Sequence, residues 1–88
     1  MVYKFLNLTD ELTSKKNPEQ KFCIVSLIRK RGSRDNVRGA LVCDQLFVSP
    51  EQAKLFKDCE TGDGVELIYE DYGRYRDLVD VNLVDCDF

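Results

Sequence analysis

Five cations and one acid fall within ten residues, Arg29-Lys30-Arg31-Gly32-Ser33-Arg34-Asp35-Asn36-Val37-Arg38, a density that makes Arg29, Lys30, Arg31, Arg34 and Arg38 candidate phosphate contacts. A second stretch, Tyr72-Gly73-Arg74-Tyr75-Arg76, interleaves aromatic and cationic side chains. A third, around Lys15, Lys16 and Asn17, is polar and basic. Cations track a phosphate backbone, and each base stacked on an aromatic ring contributes roughly 1–3 kcal/mol whatever its identity. The chemistry these residues share is sequence-tolerant binding of single-stranded nucleic acid. A different reading of the same residues is structural. The basic stretch then serves as a solvated hairpin loop whose charges keep sheet edges from pairing with other chains. Tyr75 packs in the core, Tyr72 shields a hairpin tip, and Arg74 and Arg76 pair with Glu70, Asp71 or Asp77.

The chain carries a net charge of −3 that hides a polarity. Residues 58–88 hold ten acids against Arg74 and Arg76, a net −8, so a nucleic-acid surface requires the basic and acidic parts to be segregated in space. Catalysis is poorly provided for. There is no histidine, which removes the commonest general base and the Ser-His and Cys-His nucleophile pairs, and the expectation is a protein that is not an enzyme. Cys23, Cys43, Cys59 and Cys86 form no C-x-x-C pair, and without histidine no mixed Cys/His zinc site exists within the chain. The acidic run Asp58, Glu60, Asp63, Glu66 lacks the spacing of an EF-hand loop, so neither a metal nor a cofactor is implied. Cys23 and Cys43 sit in apolar runs and read as reduced core thiols. No stretch approaches the ~20 apolar residues of a membrane span, and Met1-Val2-Tyr3-Lys4-Phe5 lacks the pattern of a signal peptide, which points to the cytoplasm.

These residues must be positioned by one small domain, residues 1–88, since 88 residues support a single core with about 5,300 Å² of folded surface. Residues 2–8 are rich in β formers, and 13–20 carry loop chemistry around Pro18. Lys21–Arg29 has apolar residues on both alternating faces, as in a strand covered on both sides or curving through a barrel. Residues 37–48 are again β-like, with Gly39 where a barrel bend would fall. Ser49-Pro50-Glu51-Gln52 combines an N-cap, a proline at the first helical position and a capping-box Gln, so a helix of two to three turns starts there and ends near Asp58. Residues 65–70 and 75–84 flank a glycine turn at Gly73 as a hairpin. Val79, Val81 and Leu83 on one face against Asp80 and Asn82 predict a half-buried last strand.

The resulting order, β-β-β-α-β-β, resembles the five-stranded oligonucleotide/oligosaccharide-binding (OB) barrel of small phage- or plasmid-type single-stranded-nucleic-acid-binding proteins, at the level of architecture and over most of the chain. That resemblance implies a mostly β fold with one short helix, with ligand carried on the second and third strands and on the 1–2 and 4–5 loops. Lys15 and Lys16 fall in the first of those loops and Tyr72, Arg74, Tyr75 and Arg76 in the second. An SH3-like barrel or an open α+β sheet uses the same elements. The end of the chain, Asp85, Asp87 and Phe88, is similar to an abbreviated acidic tip of bacterial single-stranded-DNA-binding proteins, which implies a protein partner docked there. The Ile-Pro step and the long linker of that family are absent, and a last strand that simply ends in Phe is the alternative. The leading expectation is thus a non-enzymatic single-stranded-nucleic-acid-binding module. The alternative is an inhibitor or adaptor that offers the acidic residues 58–88 to a basic protein partner. A homo-oligomer joined through an exposed strand edge is a third reading.

Overall fold

The computed structural model describes residues 2–88. Its strands are β1 (Val2–Leu8), β2 (Leu12–Thr13), β3 (Lys21–Lys30), β4 (Leu41–Val48), β5 (Gly64–Tyr72) and β6 (Tyr75–Val84), with a single helix, α1 (Pro50–Ala53), continued by a 3₁₀ turn over Lys54–Phe56. The fold is therefore mostly β with one short helix. The expected polar loop contains an extra short strand, because Leu12 and Thr13 pair with Phe22 and Lys21.

The strands form one antiparallel sheet in which β3 pairs with β1, β2 and β4, β1 pairs with β5, and β5 pairs with β6. Among the described residues no ladder joins β4 to β6, so the sheet does not close into a barrel. The local reason lies in where the bends fall. Register shifts between Phe5 and Asn7 and between Ile68 and Tyr69 curl the β1 and β5–β6 parts of the sheet. The β3–β4 ribbon runs from Cys23 opposite Val48 to Lys30 opposite Leu41 without a shift. Gly39, expected to bend this strand, sits instead in the preceding loop at φ +103°.

Alternation along β3 divides the two faces. Cys23, Val25 and Leu27 point into the core with Phe5, Val48, Ala53, Phe56, Val65 and Leu78. Phe56 is only 2% exposed and stacks on Phe5 at 6.1 Å between ring centroids. It is delivered there by α1, whose start follows the expected chemistry: the Ser49 hydroxyl accepts from the Gln52 amide, and the Gln52 side chain accepts from the Ser49 amide. The helix is shorter than expected, with one α turn tightening to 3₁₀ before Lys57. Gln52 also donates from its side chain to Asp77 and to the Leu78 carbonyl, tying the helix to β6. Gly64 is required at the head of β5, because a Cβ there would meet the Val84 carbonyl and the Cys86 side chain.

Two expectations are corrected. The last strand alternates as predicted only in part: Val81 packs against the core with Asp80 and Asn82 exposed, but the bulge opposite Ile68 and Tyr69 skips Val79 and turns Leu78 into the core instead, and Leu83, opposite Val65, is exposed on the edge strand. Of the four free cysteines only Cys23 is buried; Cys43 lies on the opposite face of the sheet and is exposed. The whole chain exposes 6674 Å², over 1,000 Å² more than the ~5,300 Å² expected of a compact chain of this mass. No helix among the described residues is long and apolar enough to cross a membrane.

Phe56→Ala removes the ring that fills the core beneath α1, and the expected loss is ~3–5 kcal/mol of unfolding free energy, read as a lowered urea midpoint at unchanged slope.

Candidate functional site

The exposed face of the β3–β4 ribbon begins at an aromatic pair. Ile24 is opposite Phe47 in the ladder, so Phe22, two residues before Ile24 on the same face, is the diagonal neighbour of Phe47. Their rings stack in parallel, 5.5 Å between centroids and 5° between planes. Phe47 is 65% exposed, which is unusual for a ring of its size and leaves one aromatic face open to solvent. Beside the pair is an open cleft of about 650 Å³, bounded by Lys15, Lys16, Lys21, Phe22, Phe47 and Ser49, among others. The loop that brings the lysines there is held by Ser14 donating to the Gln20 carbonyl and by Gln20 donating to the Asn17 carbonyl. Lys21 lies 3.9 Å from Glu11; Lys15 and Lys16 have no ion-pair partner among the described residues.

The basic stretch after β3 divides into an anchor and a free set. The Arg29 guanidinium donates to both carboxylate oxygens of Asp35, at 2.8 and 3.0 Å, and its Nε donates to Asp44. Asp35 also accepts from the Gly32 amide at 2.7 Å. These bonds hold the Asp35 carboxyl far below the usual carboxylate range, the Arg29 hydrogen bonds first and the Gly32 amide second, and they push Arg29 further up. Arg31 donates to the Val37 carbonyl and keeps its charge exposed. Arg34 and Arg38 are exposed and form no ion pair among the described residues. Lys30 reaches Asp87 at 3.6 Å.

The β5–β6 tip presents Tyr72 and Tyr75 to solvent, their rings 5.7 Å apart and tilted by 30°. Tyr75 is thus outside the core. The Tyr72 hydroxyl donates to Glu70, and that bond raises its pKa. Arg76 pairs with Asp71 at 3.1 Å and lies over the Tyr69 ring, while Arg74 is exposed. Beyond β6, Asp85 is exposed, and Phe88 lies against Lys4 and Lys30. The structure therefore brings Lys15 and Lys16 together with an aromatic pair, but not with Tyr72, Arg74, Tyr75 or Arg76, none of which borders the cleft. Phe22 and Phe47 escaped the sequence reading because each stands in a β-rich run; only the hairpin register makes them neighbours. No family model matches the chain, nor does any curated protein or solved structure.

The Arg29–Asp35 pair makes a pH prediction. The folded pKa of Asp35 lies below its unfolded value of ~3.9, so the stability it contributes is fully present above about pH 5 and is lost as pH falls through and below pH ~4. Asp35→Asn is expected to lower the thermal midpoint at pH 7 and to abolish that part of the acid-induced decline, measured by circular dichroism melts from pH 7 to pH 3.

Proposed function

We propose that this chain is a non-enzymatic module that binds single-stranded nucleic acid across the β3–β4 face. The observation that carries the reading is the solvent-open Phe47 ring, backed by Phe22 and flanked by Lys15 and Lys16, which have no ion-pair partner among the described residues. A stacking platform beside cations that follow a backbone is the arrangement such ligands need, and it requires no base-specific hydrogen bonds. The OB resemblance agrees with this placement. In chain order β3 and β4 would correspond to the second and third strands of that barrel, with the lysine loop before β3 and α1 between β4 and β5. Closure of the barrel is not needed for a ligand that lies on the outer face.

Within this reading Arg29 anchors the basic loop, its donors being taken by Asp35 and Asp44. Arg31, Arg34 and Arg38 supply long-range attraction and backbone contacts. The tip residues Tyr72, Arg74, Tyr75 and Arg76 form a second aromatic and cationic group for a longer strand. The competing reading, an acidic protein-binding surface, is favoured by Glu66 and Asp80, which are exposed on β5 and β6 without ion-pair partners among the described residues.

Titration of a labelled oligo-dT, a mixed single strand and a duplex by fluorescence anisotropy separates the two. The nucleic-acid reading expects single strands to bind more tightly than duplex, with affinity falling as salt rises. Absence of binding to all three overturns it and leaves the acidic surface as the working face. Phe47→Ala is expected to weaken single-strand binding about tenfold with an unchanged salt slope. Lys15→Ala with Lys16→Ala flattens that slope by about 1.4, two phosphate contacts at ~0.7 each on a single strand. Arg31→Ala with Arg34→Ala weakens binding to every sequence alike.

A further inference from the structure

The two ends of the β3–β4 ribbon differ in chemistry. At one end stand the Phe22 and Phe47 rings with Lys15 and Lys16. At the other is the connecting loop, residues 31–40, where Arg31, Arg34 and Arg38 are exposed. Residues 29–44 hold five cations against Asp35 and Asp44, a net +3, and both acids are bound by Arg29. The loop contains no aromatic residue, and Phe88 at its base is half-buried beneath Lys4 and Lys30. Eight residues of β3 separate Phe22 from Lys30, about 26 Å at strand rise.

The loop is held in shape. Besides the Arg29–Asp35 clamp, the Arg31 amide donates to the Ala40 carbonyl at 2.9 Å, the Asp35 amide to the Gly32 carbonyl at 3.2 Å, and the Arg31 side chain to the Val37 carbonyl at 2.8 Å. Cations on a loop already ordered lose little conformational freedom when a polyanion arrives. Arginine adds a planar fork that meets a phosphate with two donors.

The ligand each end prefers follows from what it can read. A ring gains by stacking on an unpaired base, which an intact duplex does not release, so the Phe47 end selects a single strand. Cations with no ring among them read charge density. A duplex offers a phosphate every ~1.7 Å of axis against ~3.4 Å along one strand, and each contact contributes ~0.9 to the salt slope rather than ~0.7. The loop end therefore selects duplex. At the ~3.4 Å rise of a stacked strand, about eight nucleotides bridge the two ends.

We propose that the ligand of this module is a junction, a single strand lying over Phe22 and Phe47 that continues into a duplex whose backbone is held by Arg31, Arg34 and Arg38. The inference rests on the nucleic-acid reading of the β3–β4 face and adds the substrate class. Arg29 is a positioning residue in it, since its own donors are taken by Asp35 and Asp44.

The test is anisotropy at fixed salt with labelled dT₁₂, a blunt duplex, and the same duplex carrying a dT₂ or dT₁₂ tail at either the 3′ or the 5′ end. The dT₁₂-tailed duplex, in one polarity or both, is expected to bind about tenfold more tightly than dT₁₂ or the blunt duplex, because the second contact becomes intramolecular. The dT₂ tail is too short to reach Phe47 and is expected to give no gain over the blunt duplex. Arg34→Ala with Arg38→Ala, at two exposed positions, is expected to return the tailed duplex to the affinity of dT₁₂ and to flatten its salt slope by about 1.8. Phe47→Ala is expected to return it to the affinity of the blunt duplex. A tailed duplex bound no more tightly than dT₁₂, or a gain that survives loss of Arg34 and Arg38, overturns the junction; if dT₁₂ still binds and Phe47→Ala weakens it, the platform stands. Absence of binding to dT₁₂ and to every tailed duplex overturns the nucleic-acid reading, and the junction with it.

Discussion

β3 must satisfy two ladders and two faces at once, and most of the molecule follows from how it does so. Its period of two sends Cys23, Val25 and Leu27 into the core, where they meet Phe5, Phe56 and Val65, and leaves Phe22, Ile24, Ile28 and Lys30 on the other side. A slip of one residue against β4 would exchange the two sets, burying Lys30 and exposing Val25. The apolar inner set holds the register with the force of the whole core, so the outer set is placed precisely although few of its own contacts stabilise it. A strand with apolar residues on both faces usually lies between two layers. Here the far end of the outer face is covered by the segment after β6, with Cys86 packed against Gly64 and Phe88 against Lys4 and Lys30.

That arrangement accounts for the surplus of exposed surface. The sheet curls at its two bulges around Phe56 and Leu78, but the straight β3–β4 ribbon leaves β4 and β6 as free edges, with Phe47 and Leu83 standing out from them. Apolar rings open to water cost free energy in an isolated chain. They are retained on surfaces where a ligand or partner recovers that cost, and bases stacked on rings do so without demanding a particular sequence.

Electrostatics divides the cations by what already holds them. Arg29 is clamped by Asp35 and Asp44 and shapes its loop; Arg76 is held by Asp71; Arg34, Arg38, Lys15 and Lys16 have no ion-pair partner among the described residues. Glu66 on β5 and Asp80 on β6 stay apart from the basic loop, while beyond β6 Asp87 crosses to Lys30. The two signs meet at that crossing, and since the pair is exposed it is a contact that ionic strength and competing anions readily open.

Most of the elements were legible in the chain, because their signals are local, but the short β2 was not, since Leu12 and Thr13 become a strand only by pairing with Phe22 and Lys21. Ser49-Pro50-Glu51-Gln52 set the helix start, Gly73 took the left-handed turn at φ +69°, and strand boundaries at 2–8 and 75–84 followed the β-rich runs. The bulge that exchanges Val79 for Leu78 was not legible, nor was the displacement of Gly39 from strand to loop, since both depend on how neighbouring strands fit rather than on any residue's own preference. The same holds for the candidate site. Lys15 and Lys16 could be picked out by charge, but Phe22 and Phe47 become a pair only across a ladder, and Phe88 reaches Lys4 only when β6 has returned along β5. Composition and local pattern determined which elements form and that cations and rings are on hand. Tertiary structure decided which of them share a face, because pairing across long sequence separations is set by burial of the common core and not by the residues that the pairing leaves in water.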